Sequence, residues 1–285
     1  MATLLGLAAA LGWGLTDFLA RLAGDRLGAT RTMLFGQASA ALVLTLWLAA
    51  HPDDARRALG APLWAWAAGL LAAQINLAGT YTLIRGMTIG AIAVVAPVVA
   101  SYGAIAAALA ALSGEAISRP AWAGIGLTVL GVACMAWPAG PAAMHAPRRG
   151  AAFAWALLSA ISFGVGFWVQ GAFAVPRLGA IVPVWLYYAA SLPTLLLVLG
   201  RRAAPLPARR HWPMLAGIGL SGAAAYLAFC MGLQTGALAL VAVLSSLSSG
   251  ISVVLAGLFL HERLAAHQWA SVAVIIVGLM LINHG

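Results

Sequence analysis

Stretches of about 20 mostly apolar residues, the length that crosses a bilayer core, follow one another along almost the whole chain with only short polar, Pro or Gly breaks between them. In lipid only helices and closed barrels satisfy their own backbone. The runs are continuous rather than alternating and too long for barrel strands, so they read as helices. Charged residues are 7% of the 285, against roughly 25% in soluble globular chains, which leaves no room for a sizeable soluble domain. Splitting the runs gives ten spans, at 3–22, 30–50, 62–85, 89–112, 119–138, 150–173, 179–199, 211–233, 238–260 and 267–283. The first run has no basic segment before it and no small-residue cleavage pattern, so it is expected to be a span rather than a signal peptide.

The two halves of the chain resemble each other. Gly86-Met-Thr-Ile-Gly90-Ala91 aligns with Gly232-Leu-Gln-Thr-Gly236-Ala237 at an offset of 146. Glu115, Trp122 and Gly131 align with Glu262, Trp269 and Gly278 at 147, and Trp13-Gly14 and Phe18 with Phe163-Gly164 and Trp168 at 150. The expected division is a first repeat at 1–138, a linker at 139–149 and a second repeat at 150–285. Each repeat holds five spans, an odd number, so two like-folded halves sit inverted in the membrane. Inverted repeats are a secondary-transporter architecture, with the solute site near the midplane between them. The fold class expected is therefore an all-α integral membrane protein of ten transmembrane helices in two inverted five-helix repeats.

The doubled module is a Gly-Ala turn, an apolar helix, a Glu and a closing helix with a central Gly. It reads Gly90-Ala91 through Pro97 to Glu115, Trp122 and Gly131, then Gly236-Ala237 through Leu258-Phe-Leu-His-Glu262 to Trp269 and Gly278. With the early Gly12-Trp13-Gly14, these residues resemble the ten-helix EamA-type members of the drug/metabolite transporter superfamily, over nearly the whole chain. The resemblance implies a central cavity lined mainly by spans one, three, four, six, eight and nine, and export of metabolites such as amino acids.

Arg supplies all 15 basic residues, against 6 acidic ones. They are scattered through breaks rather than clustered on one face, so nucleic acid is not an expected partner. Breaks after even-numbered spans carry Arg56, Arg57, Arg119 and Arg177; the other eleven, including Arg21, Arg85 and the pairs Arg148-Arg149, Arg201-Arg202 and Arg209-Arg210, flank odd-numbered ones. The positive-inside rule puts the second set in the cytoplasm and both termini outside. Relatives usually have cytoplasmic ends, so the charges and the resemblance disagree here. The Arg-only, Ala- and Gly-rich composition fits a bacterial chain, hence an inner membrane.

Asp17 is the one acidic residue that falls well inside a span, where an ionised carboxylate costs about 2.5–3.5 kcal/mol unless paired or watered. It reads either as a proton-coupling or amine-binding group, or as a partner of Arg21 one turn on, near the membrane boundary. Glu115 and Glu262 end spans four and nine, where a shared structural role such as capping the next helix is expected. Eight of the eleven Trp fit an interfacial belt. Trp13 and Trp168, in the opening helix of each half, are candidate solute contacts. Gln74, Ala78, Tyr81 and Arg85 share one face of span three by spacing, and Gln74 and Tyr81 are placed in the cavity. Ser101 and Tyr102 in span four, Tyr226 in span eight and Ser245 and Ser249 in span nine complete the candidate solute-binding set, although small hydroxyls equally serve helix packing. Pro97 is a candidate hinge, and Gly86, Gly90, Gly232 and Gly236 are turn or packing glycines. Cys134 and Cys230 read as small core residues.

Enzyme motifs fail. His261-Glu262 lacks the His at 265 that a zincin needs, and Gly217-Ile-Gly219-Leu-Ser-Gly222 lies inside a span and follows no strand. No metal, cofactor or ATP site is expected. The sequence points to a secondary transporter, acting as monomer or homodimer on a small organic solute, with proton coupling open through Asp17. A membrane-embedded enzyme or a channel is the alternative.

Overall fold

The computed structural model describes residues 1–90, 92–116, 118–135, 149–199, 206–260 and 266–283, and these contain no strand. Ala91, Trp137, the linker through Arg148, Arg201, Arg202 and the His261-Glu262-Arg263 segment lie outside the described residues.

The first half holds α1 (Ala2–Leu27), α2 (Ala29–Ala50), α3 (Pro52–Leu59), α4 (Leu63–Ile89), α5 (Ile92–Ala100), α6 (Tyr102–Leu112) and α7 (Arg119–Met135). The second holds α8 (Arg149–Val169), prolonged by a π-turn at Gln170–Ala174 and a last turn at Val175–Leu178, then α9 (Ile181–Leu199), α10 (Trp212–Leu233), α11 (Leu238–Ser246), α12 (Ser248–Phe259) and α13 (Ala266–Asn283). Among the described residues eight helical stretches are long and apolar enough to cross a membrane, counting α5 with α6 and α11 with α12. The other two expected spans correspond to α7 and α13, whose described apolar stretches are shorter and which pack chiefly on each other.

The polar break after α2 is not a loop. Pro52 opens α3, with Asp53 and Asp54 in its first turn and Arg56 and Arg57 in its last, so both charge signs complement the helix dipole. Trp66 Nε1 donates to the Ala58 carbonyl, 3.1 Å away, tying α3 to α4. Gly28 and Gly179 turn α1 into α2 and α8 into α9 with φ near +80° and +76°, a left-handed backbone that favours glycine.

Contacts between helices repeat across the halves. α1 packs along α10 as α4 packs along α8; α2 meets α10 as α9 meets α4; α1 touches α11 and α12 as α8 touches α5 and α6. α5 lies against α12 and α6 against α11, so the two broken helices run antiparallel. The breaks fall at Ser101 and Leu247, 146 residues apart, each with ψ near −9°. Pro97 removes one backbone hydrogen bond in α5, yet the second break forms with no proline, so Pro97 alone does not explain the geometry.

Glycines set the closest approaches. A Cβ on Gly14 would lie 2.6 Å from Ile251 of α12, and one on Gly164 2.5 Å from Ile105 of α6. On the α7–α13 seam a Cβ on Gly131 would lie 2.7 Å from Ile275, and one on Gly278 2.7 Å from the Gly124 carbonyl. Small residues at such crossings let backbones approach, which is how helices gain contact in lipid. Gly90 likewise packs against Ala152 and Gly232 against Val241, whereas Gly236 (φ +81°) has nothing near it and serves the turn. Cys230 is buried as expected, but Cys134 is exposed on α7.

Gly278→Leu is expected to part α7 from α13 at a cost of about 1–3 kcal/mol, read as a lowered melting temperature of the detergent-purified protein. Gly126→Ala, at a position with open space around it, is expected to leave melting unchanged.

Candidate functional site

α1 runs to Leu27, so Asp17 lies about 15 Å, ten residues at 1.5 Å each, from that helix end. Arg21 is not its partner: the Arg21 Nε lies 3.2 Å from Asp25 Oδ2, one turn further on. Asp17 instead faces α12. Ser252 Oγ lies 3.5 Å from Asp17 Oδ2 but only 3.1 Å from the Ser248 carbonyl, so its single proton gives Asp17 a weak bond at best.

Asp17 lines a cavity of about 100 Å³ bounded by both halves of the chain. Its wall includes Trp13 and Thr16 from α1, Gln37 from α2, Asn76 and Thr80 from α4, Tyr102 from α6, Phe163 and Phe167 from α8, Tyr187 and Tyr188 from α9, Tyr226 from α10 and Ser249 from α12. Four of the chain's five Tyr are here. Thr32 and Met33 near the start of α2, Ile84 near the end of α4 and Ala96 of α5 line the other side. The cavity therefore extends from mid-membrane toward the end where α1 turns into α2, the Arg-rich end.

Two hydrogen-bond chains cross it. Gln37 Nε2 donates to Tyr187 Oη (2.9 Å), which shares a bond with Thr80 Oγ1 (2.7 Å). Asn76 Nδ2 donates to Tyr226 Oη (2.8 Å), and its carbonyl is aimed at Gly166 of α8, where a Cβ would collide with it. Both chains join the two halves. Gln37 Oε1, buried on the cavity wall, has no hydrogen-bond partner among the described residues.

Toward the opposite end the rings close the cavity. Trp13 stacks on Phe167 (centroids 5.2 Å, 17° between planes), and Phe229 packs against both at 5.3 and 4.6 Å. Beyond them Gly6 approaches Leu244 and Gly171 approaches Leu238 too closely for any side chain.

Of the residues singled out by sequence, Trp13, Asp17, Tyr102, Tyr226 and Ser249 meet on this cavity, and the rest stand elsewhere. Gln74 fastens α4 to α9: its Nε2 donates to the Ala190 carbonyl at 3.4 Å, and Thr194 Oγ1 donates to its Oε1 at 2.9 Å. Tyr81 and Arg85 follow that same face, while Asn76, Thr80 and Ile84 hold the cavity face. Ser101 Oγ donates to the Val98 carbonyl at the α5–α6 break, and Ser245 Oγ shares a 2.9 Å bond with Tyr102 Oη. Trp168 points away: its Nε1 donates to Ser113 Oγ (2.8 Å) in a separate hollow at the Arg-poor end. Sequence reasoning missed Gln37, Asn76, Phe167, Tyr187 and Tyr188; spans two and seven, outside the implied lining set, supply three of them.

Glu115 borders that second hollow, half-buried. Its Oε1 accepts the N–H of Ala239 in the first turn of α11, at 3.4 Å. It therefore caps a helix of the other half, not the next helix as expected. Burial raises its pKa above the ordinary value, and the Ala239 bond opposes this.

Residues 1–137 and again 150–284 match the EamA-like transporter family. No curated protein sequence matches the chain. A solved crystal structure superposes with a TM-score of 0.69 over 98% of this chain and 95% of its own at 19% identity, a likeness of fold alone.

With its pKa raised on folding, Glu115 binds its proton more tightly folded than unfolded, so its contribution to stability is present at acid pH and lost as pH rises through the folded pKa. The melting temperature of the protein minus that of Glu115→Gln is expected to fall as pH rises from about 4. A rise would show that the start of α11 stabilises the charge more than burial opposes it.

Proposed function

The chain belongs to the EamA-like transporter family, which makes it a membrane transporter of small solutes, and from that premise we propose that it exports small organic metabolites, amino acids first among them, by alternating access between two inverted halves. The observation that carries the reading is a cavity at membrane depth, built from both halves and holding one carboxylate against a wall of rings. The division expected from sequence, 1–138 and 150–285 about a linker at 139–149, is the unit of that motion. Antiparallel contact of α5–α6 with α11–α12 and the paired packing of α1 and α8 are what inversion requires. At about 100 Å³ the cavity is smaller than the ~150 Å³ that holds benzene, so a metabolite enters only when helices part. Pro97 and the breaks at Ser101 and Leu247 are the hinges we assign to that movement. The cavity is complete within one chain, so a monomer suffices.

The Arg-rich end is cytoplasmic in this reading, with both termini periplasmic in a bacterial inner membrane. The cavity then lies toward the cytoplasm, the loading side of an exporter. Apolar rings with few charges suit a solute that carries an apolar part, such as an aromatic amino acid. Energy comes from the solute gradient or from protons carried on Asp17.

Proteoliposomes loaded with an amino-acid panel are expected to show saturable counterflow, and leakage without saturation would point to a channel instead. A pH gradient is expected to drive transport by the native protein and not by Asp17→Asn; equal pH dependence in the two would remove Asp17 from coupling. A reporter active only in the cytoplasm, fused after Gly285, is expected to be silent, and activity would reverse the orientation.

A further inference from the structure

Asp17 sits in its cavity without a cation. The Nε of its neighbour Arg21 lies 3.2 Å from Asp25 Oδ2, although Arg21 Nε and Nη1 are buried without a hydrogen bond among the described residues, and no Arg, Lys or His is among the described residues that line the wall. Among the described residues its one hydrogen bond is the 3.5 Å contact from Ser252. A second acceptor, Gln37 Oε1, is buried on the same wall with no donor among the described residues. Both groups call for N–H donors.

The rest of the wall suits a positive charge. Trp13 lies one helical turn from Asp17 on the same face of α1, stacked with Phe167 in a cluster that also takes in Tyr226 and Phe229. Tyr102 and Tyr187 line the same cavity. Aromatic faces attract ammonium and guanidinium groups, Trp most strongly, and more so away from water.

A carboxylate finds less. Most of the hydroxyls are engaged, Tyr187 with Gln37 and Thr80, Tyr226 with Asn76, Tyr102 with Ser245, Thr16 with Ser221, which leaves those of Tyr188 and Ser249 and no cation among the described wall residues. An anion would also face Asp17 at membrane depth, where like charges repel with little screening.

We infer that the site recognises its solute by a protonated amine held on Asp17 against the aromatic wall, so that amines lacking a carboxylate bind at least as well as the matching amino acids. The inference rests on the carrier reading for its setting but concerns which end of the solute the site grips.

The test is calorimetric titration of the purified full-length protein in detergent with phenethylamine, phenylalanine and 3-phenylpropionate, which share a ring and a two-carbon arm. Phenethylamine is expected to bind as tightly as phenylalanine or tighter, and both at least about tenfold tighter than phenylpropionate. Asp17→Asn is expected to lose at least about tenfold in phenethylamine affinity, with Asp17→Glu retaining most of it. Because the native protein alone ranks the three ligands, the test survives a variant that fails to fold. Phenylpropionate binding equal to the amine, phenylalanine tenfold tighter than the amine, or no amine binding at millimolar concentration overturns the inference. Counterflow in proteoliposomes separates the two readings. Amine binding without counterflow of any solute defeats the carrier and leaves the amine site, whereas counterflow of zwitterions or acids but not amines defeats the amine site and leaves the carrier.

Discussion

Close backbone contact between helices from opposite halves is the constraint on which this structure depends. Lipid tails are as apolar as leucine, so helices gain by touching only where their surfaces fit. The fit is made by glycine: Gly14 against Ile251 and Gly164 against Ile105 press α1 and α8 onto the broken helices of the opposite half, and Gly131 and Gly278 close α7 on α13. Because each half is anchored mainly to the other, neither forms a separate core. The space between them is framed by α1, α4, α8 and α10, and it becomes the cavity.

Within that frame the polar groups divide by task. Asn76 and Gln37 donate to tyrosines of α10 and α9, and Thr80 shares a bond with Tyr187, which joins the halves through a few side-chain bonds. Asp17 is excluded from this network apart from Ser252. A buried carboxylate with so little support weakens the fold unless something positive, a proton or a cationic group, visits it. The ring-packed end of the cavity is closely fitted, with aromatic stacking there in place of hydrogen bonds.

Hydrophobicity and spacing made the helices, the repeat and the place of Trp13 and Asp17 on the cavity legible, because a long apolar run and a charge within it each have few physical explanations. Which side of a helix faces inward was not legible. Span three carries polar residues on two faces; the one through Gln74 and Tyr81 fixes α4 to α9, while the one through Asn76 and Thr80 meets the cavity. One position along α8 turns a side chain by about 100°, enough to send Trp168 to the far hollow and bring Phe167 onto Trp13. The partners of Asp17 and Glu115 were misjudged because both were sought locally, at Arg21 and in the next helix. Both lie in the other half, at Ser252 and Ala239. Glu262, the counterpart of Glu115, lies outside the described residues.

At the offset of 150 that aligns α1 with α8, the counterpart of Asp17 is Phe167, so the two halves face the cavity with unequal chemistry. Exchanging the roles of the halves therefore does not reproduce the same chamber on the opposite face. The backbone is two-fold, but the charge belongs to one half. Under the alternating-access reading proposed above, cargo would meet different chemistry on each side of the membrane, which makes the kinetics of uptake and release unequal without any change in the energy source.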